Sequence, residues 1–358
     1  MNLLIIILSP VLVSAQDGSI IIDEVNIIKA QVVEILGEEE RNLPGLQITQ
    51  EFQTLKAEII EGQRSGEVVM VENDYLSLEA GEKFYLMETI RSEDGVASYS
   101  VHDKYRLPAV YFFVGLFILC IFIFGGIQGV RGLASLIGSL LLIIFVLMPG
   151  ILKGYSPILI TIGVSSLIIV LGSYVTHGFN KTTTSAVVGM VLTVILTGAL
   201  AYFAVDITGL SGFESEEAVY LNFNTGGTIN FVGLLFGGIM IGLLGVLYDV
   251  AIGQAISVEE LQRAGTHLTR KQIFKRVIRI GREHIGALVN TLAIAYVGVS
   301  LPLLLLFYSG SSGSLSEIIN REIFSTEIIR TMIGSIGLIL AVPITTFISV
   351  FLLIKKED

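Results

Sequence analysis

The chain has 358 residues, of which 53% are apolar and 15% charged, with a mean hydropathy of +0.78 and a net charge of −10. That balance excludes an ordinary soluble globular domain, which is less apolar and carries more charge, and it points to an integral membrane protein. The acidity is local: residues 17–107 hold 19 Asp and Glu against 8 Lys and Arg, a net of −11, and the rest of the chain is close to neutral.

The first segment, "MNLLIIILSPVLVSA" (residues 1–15), has an apolar core over 3–13 and ends in the small-residue pattern Val13-Ser14-Ala15. This is the form of a secretory signal peptide, although no Lys or Arg precedes the core, and an uncleaved anchor is the alternative. Residues 16–107 are then an exported domain. "VNIIKAQVVEIL" (25–36) is rich in β-branched residues, and "TLKAEII" (54–60) alternates apolar and polar residues at period two. "GEVVMVEN", "KFYLMETI" and "VASYSVH" follow, with turns at Gly81 and Gly95. Five short strands predict a small extracytoplasmic β-barrel, OB-like, with an SH3-like barrel as the alternative. An acidic surface excludes a nucleic-acid platform, because phosphate binding needs a basic one. It fits a solvated face, an envelope protein partner, or capture of a metal or cationic peptide.

After "YRLPA" the composition changes abruptly. Seven apolar runs are long enough to cross a hydrocarbon core: 108–126, 132–150, 157–177, 184–205, 229–250, 284–308 and 328–354. The expected fold class is therefore an α-helical polytopic membrane protein with about seven transmembrane helices. The single cysteine, Cys120, falls in the first run and forms no intrachain disulfide. With the β-domain outside, the cytoplasmic pieces hold 11 Lys and Arg, seven of them in the loop 251–283, whereas the opposite loops hold only Lys153 and Arg321. The positive-inside rule supports this orientation, with the C-terminus in the cytoplasm.

In the loop, "TRKQIFKRVIRIGREH" sets Ile273, Phe274, Val277, Ile278 and Ile285 opposite Arg270, Lys271, Lys275, Arg276, Arg279 and Arg282 at helical spacing, and Thr269 with Gln272 forms a capping box. A basic amphipathic helix lying on anionic lipid head groups is one reading. A partner-binding or gating helix is the other.

Asp249 ends a run that is uncharged from Phe231 to Tyr248. Gly238, Gly242, Gly245 and Asp249 step by 4, 3 and 4, so they share one helix face, and small residues at such spacing let another helix approach closely. Asn290 lies in the sixth run with Arg282 and His284 at its inner end. Asp249, Asn290 and Arg282 are expected to converge in the inner leaflet, as a helix-packing hydrogen-bond cluster or as a cation or proton relay, with a solvated helix end as the third alternative. Thr176, His177, Asn180 and Thr182 to Thr184 gather on the same side. The four histidines, at 102, 177, 267 and 284, show no ligand spacing, so no metal or other cofactor is expected. Pro149, Pro302 and Pro343 are expected kinks.

No HExxH, P-loop or nucleophile elbow is present, and no second acid within a span completes an aspartyl dyad with Asp249. An enzyme is not expected. The ordered stretches "YRLPA", "QGVRGL", "LKGYSP", "HGFNKTT", "GGIMIGLLGVLYDVAIGQAISVEEL", "IGREHIGALVNTLAIAYVGVSLPLLLLF" and "GSIGLILAVPIT" resemble the YibE/F family of bacterial multi-spanning membrane proteins. Where members of that family look like "LGAVMDVAMSIASA", this chain has "LGVLYDVAIGQAIS": the aspartate is kept at Asp249, while Tyr248, Gly253 and Gln254 depart. The resemblance implies a bacterial cytoplasmic membrane and a permease-like role without a known substrate. A non-transport scaffold, whose β-domain binds an envelope partner, is the rival expectation.

Overall fold

The computed structural model describes residues 24–42, 49–74, 76–92, 95–265, 267–310 and 314–354, so the expected signal at 1–15 and the Lys355-Lys356 tail lie outside the described residues. Two compact units form, residues 1–118 and 119–358.

The first unit holds a closed five-strand barrel in the order β1-β2-β3-β5-β4. Strand β1 (Glu24–Asn42) is long enough to pair with two partners in turn. Its first half runs antiparallel to β4 (Lys83–Ile90) and its second half to β2 (Thr49–Ile59), with register irregularities at Val32/Glu34 and Ile35/Gly37. Such bulges bend a strand and increase its twist, which lets one strand serve both sides of a small barrel. β3 (Val68–Asn73) pairs with β2, and β5 (Ala97–Lys104) closes the barrel by pairing antiparallel with β4 and parallel with β3. The period-two pattern read from the sequence is the inward face: Leu55, Ala57 and Ile59 on β2, Val69 and Val71 on β3, and Phe84 and Leu86 on β4 form the core. Gly81 and Gly95 turn the chain with positive φ, 87° and 67°.

Polar groups buried at the barrel's ends are paired. Gln53 Nε2 donates to Leu78 O, while its Oε1 accepts from Asn73 Nδ2 and Leu78 N. Glu88 is buried and accepts from Arg64 and from Tyr99 Oη. Arg64 also donates to Glu67 at 2.6 and 2.7 Å.

The second unit is helical and begins within α1 (Leu107–Cys120). A π-helical turn, Ile121–Gly125, leads to α2 (Gly126–Leu142); a second, Ile143–Leu147, leads to α3 (Met148–Leu152). The two runs expected at 108–126 and 132–150 thus form one 46-residue helical stretch without a loop. It is not straight. Gly126 has φ 52°, and a Cβ added at Gly129 would lie 2.8 Å from the Ile121 carbonyl oxygen. Eight residues of regular helix would separate those positions by about 12 Å, so the chain bends sharply at the expected break. Then come α4 (Pro157–His177), α5 (Lys181–Thr208), the short α6 (Glu216–Asn224), α7 (Phe231–Ala264), α8 (Arg270–Val299), α9 (Leu301–Gly310), α10 (Leu315–Asn320) and α11 (Glu322–Leu353).

Among the described residues, five helical stretches are long and apolar enough to cross a membrane, or six if α8 and α9, bent by 64°, make one span. Seven such runs were expected. The difference arises from the joined first pair; the bend between α8 and α9 falls beside Pro302, which lacks an N–H and sits in the first turn of α9. The loop expected over 251–283 is also mostly helix: α7 continues to Ala264, and α8 starts at Arg270 behind the Thr269/Gln272 capping box.

α11 packs against α5, α7 and α8, and the core joins Met190 and Val194 of α5, Phe236, Met240, Leu243 and Leu247 of α7, and Leu338, Ala341 and Val342 of α11. Helix backbones approach where small residues allow it. A Cβ added at Gly189 of α5 would lie 2.6 Å from Thr345 Oγ1 and 2.9 Å from Thr345 Cα, and one at Gly337 of α11 would lie 2.9 Å from Leu243 and Thr197.

Gly189→Ala should therefore destabilise the protein by about 1 to 3 kcal/mol, the usual cost of overpacking. Gly238→Ala, which meets nothing within 4 Å, should be neutral or slightly stabilising because alanine is the better helix former. Thermal midpoints of the purified variants decide this, and equal midpoints would refute the close contact. A second expectation concerns the barrel. Arg64 holds Glu67 below its ordinary range, the Glu79 N–H and Lys104 do so for Glu82, and Arg106 does so for Asp103. Depressed carboxylate values stabilise the folded state above the unfolded values of about 4 and cease to do so as the pH falls through the folded ones. Amide exchange in the barrel strands of the full chain, corrected for intrinsic rates, should lose protection as the pH falls below about 4; unchanged protection would contradict these pairings.

Candidate functional site

α7 packs through one face, and the 4-3-4 stripe of glycines lies on another. Leu235, Phe236, Ile239, Met240, Leu243, Leu247 and Val250 are buried, whereas Gly238, Gly242, Gly245 and Asp249 are exposed. Of the three glycines, only Gly242 is closely approached, by the Tyr296 hydroxyl of α8; Gly238 and Gly245 have open space where a Cβ would stand. The glycines at the packed seam are instead Gly233, against Pro157, and Gly237, against Thr161. Spacing alone identified a shared face but not which face the neighbouring helices cover.

Arg282, His284 and Asn290 on α8 are likewise exposed. Among the described residues, no hydrogen bond or ion pair joins them to one another or to Asp249. The expected convergence of Asp249, Asn290 and Arg282 is not made in this structure. The basic helix also differs from the expectation. Its apolar residues Ile273 and Val277 are fully buried, but against Val258 of α7 and Val350 and Ile354 at the end of α11, so protein rather than lipid covers that face. Arg270 donates to the Ile354 carbonyl, which is the kind of group a helix C-terminus leaves free, and lies over the Phe351 ring. Lys271, Lys275, Arg276 and Arg279 remain exposed.

Two polar assemblies form at opposite ends of the helical unit. The first joins the α5–α6 connection to the start of α11. Glu322 accepts from the Ser211 N–H at 2.6 Å, the Ser211 hydroxyl at 2.8 Å and the Gly212 N–H at 2.9 Å. Gly212 has φ 79°, and a Cβ there would collide with the Phe231 carbonyl, so glycine is required for this turn. Two turns along α11, Arg330 pairs with Glu327 at 2.7 Å and with Glu214 at 3.5 Å. The Arg330 side chain is 24% exposed and that of Glu214 16%; Arg330 Nε and Glu214 Oε2 are buried without a hydrogen-bond partner among the described residues. Beside them Glu327 and Tyr296 line a cavity of about 400 Å³ between α8, α9, α10 and α11, whose other walls are mostly apolar, among them Leu304, Phe307 and Ile318, with Ser300 and Thr331. Sequence reading missed this assembly because Glu214 and Arg330 are 116 positions apart and no motif links them. The available signal was a lone arginine at the start of the last apolar run.

The second assembly lies where α5 begins and α7 ends. His177, Asn180, Thr182, Thr183, Glu259 and Arg263 surround a cavity of about 350 Å³. Thr182 Oγ1 donates to Glu259 at 2.6 Å, Glu259 pairs with Arg263, and Asn180 caps α5 by accepting the Thr183 N–H at 2.7 Å. The gathering of His177, Asn180 and Thr182 was legible in the sequence, but its closure by Glu259 and Arg263 was not. Nearby, Gln254 is 1% exposed and accepts from Thr346 Oγ1 at 2.9 Å, beneath Gly281 of α8.

These features define a chain of long apolar helices, of the length and composition of a multi-pass membrane protein, preceded by a five-strand barrel. The chain belongs to the YibE/F-like protein family, whose sequence signature matches residues 113–355. No curated protein and no solved structure matches it.

A double-mutant cycle tests the first assembly. Arg330→Gln and Glu214→Gln should couple by about 1 to 3 kcal/mol, as contacting, poorly solvated charges do. Arg263→Gln and Glu259→Gln, at an exposed i, i+4 pair, should couple by only about 0.3 to 0.5 kcal/mol. Equal couplings would show that the Arg330 pair is no more than a surface contact.

Proposed function

We propose that this chain is an integral, multi-pass protein of the bacterial cytoplasmic membrane with a transport or transport-assisting role, centred on the Arg330–Glu327–Glu214 assembly and the cavity beside it. The carrying observation is a guanidinium and two carboxylates, mostly withdrawn from solvent, one of which, Glu327, lines a mostly apolar cavity in a bundle of membrane-length helices. Ionisable groups in such surroundings are costly to keep and characteristically line substrate or ion pathways. The reading includes no enzymatic step.

Charge supports the orientation. Lys181 and Arg263 stand at the end where α5 begins and α7 finishes, and the exposed bases of α8 follow within the next turns. Glu214, Glu216, Glu217, Glu322 and Glu327 belong to the segments at the other end. The basic end is cytoplasmic under the positive-inside rule. The barrel domain is extracytoplasmic in this reading, and its strand order with a parallel β3–β5 closure is that of an OB-type barrel.

A scaffold role is the second reading. It is favoured by the seam between α5, α7 and α11, which is packed at backbone distance. Alternating access distinguishes the two, because a transporter must at times admit water to residues packed shut in one state. In a Cys120→Ser background, Gln254→Cys should react with a membrane-impermeant maleimide applied at the basic end while the protein keeps its folded thermal midpoint. A thiol that reacts only after unfolding would sink the transport reading and favour the scaffold.

A further inference from the structure

The barrel unit is strongly acidic, yet four of its eight bases collect where the chain leaves the last strand for α1. Lys104 of β5 stands opposite Phe84, the neighbour of Lys83 on β4, and both lysines line one groove; Arg106 follows β5 directly, and Lys29 Nζ lies 3.5 Å over the Tyr105 ring. Tyr85 packs edge-on against Tyr105 at 5.7 Å between centroids. Two carboxylates belong to the same rim: Glu82 pairs with Lys104 at 3.2 Å, and Asp103 pairs with Arg106. Lys83 is exposed and has no ion pair among the described residues.

Between this rim and α1 runs an open groove of about 920 Å³. Its polar end is formed by Lys83, Lys104 and Arg106, and its far wall by Phe113, Val114 and Phe117 of α1. From Arg106 to Phe117 the helix rises by about 16 Å, close to half of a 30 Å hydrocarbon core. The groove therefore pairs cationic and tyrosine groups at head-group level with an apolar wall one leaflet deep, the arrangement by which proteins anchor at a membrane interface.

We propose that this groove binds an anionic phospholipid, with its phosphate on Lys83, Lys104 and Arg106 and an acyl chain along Phe113 and Phe117. The occupant follows from charge and shape together. An anionic surface would repel a domain of net charge −11 unless its membrane-facing rim offered cations, and a soluble anion would leave the apolar wall uncovered. The site rests on the membrane reading given above. It is separate from the basic face of α8.

The chain has no tryptophan, so Phe117→Trp supplies a single fluorescent reporter at the groove wall. The full-length variant is placed in phosphatidylcholine nanodiscs in which about one tenth of the lipid carries brominated chains, either on phosphatidylglycerol or on phosphatidylcholine. Brominated phosphatidylglycerol should quench as if locally enriched about fivefold, the preference expected of one unpaired lysine at an anionic surface. Lys83→Glu with Arg106→Glu should abolish the difference while leaving the thermal midpoint in place. Equal quenching by the two lipids would overturn the lipid site alone. Absence of quenching by fully brominated phosphatidylcholine would overturn the membrane reading and the site with it.

Discussion

Close contact between α11 and its neighbours governs the helical unit. α11 is 32 residues long and lies against α5, α7 and α8. Gly189 admits Thr345, Gly337 admits Thr197 and Leu243, and Gly281 admits Val342 and Gln254. Without water to drive apolar surfaces together, helices in lipid associate through dispersion and short polar contacts, so the distance between backbones sets how much each contact contributes. Side-chain hydrogen bonds then hold the register: Ser185 Oγ and Ser349 Oγ lie 2.9 Å apart, and Thr346 reaches Gln254. Both ends of the helix are tied as well, Glu322 to the Ser211 turn and the Ile354 carbonyl to Arg270.

The same packing decides where chemistry can reside. Thr161, Ser165, Ser173, Thr197 and Thr345 place hydroxyl oxygens in the interior without a hydrogen-bond partner among the described residues. Each unpaired hydroxyl carries a desolvation cost, so these residues are poor choices for a core that needed only stability. Three of them face another helix at a glycine or beside one, where a larger apolar side chain would force the backbones apart. Small size is thus one physical reason for their presence. The two assemblies of charged groups beside cavities lie at the ends of the unit.

Legibility from sequence followed the range of the forces involved. The barrel strands were readable because β-branched alternation is local: Leu55, Ala57 and Ile59 point inward because neighbours two apart share a face. The capping box at Thr269 and the bend by Pro302 are local as well, and both were found. The apolar face of α8 was identified correctly through Ile273 and Val277, but periodicity reports only that a face must be covered, not whether lipid or α11 covers it. The glycine stripe ending at Asp249 failed for the same reason. Glu214 and Arg330, joined across 116 positions by the fold, carried no local pattern at all.

Asp249 is the sharpest remnant of that comparison. A carboxylate at the end of an otherwise uncharged 18-residue run, on a face where Gly238 and Gly245 have nothing opposite them, is costly in lipid unless something polar meets it. Among the described residues nothing bonds to it: Arg282 and Asn290 are on the neighbouring helix, yet neither does so. The Arg330 assembly shows the contrary arrangement, in which three charged groups are paired within one chain by segments that the fold brings together. The bundle gathers charged groups into assemblies at both ends and leaves Asp249 exposed on a glycine-lined face of α7, outside either of them. Gly238, Gly245 and Asp249 therefore mark a strip of the helical surface that packing among the described residues leaves uncovered.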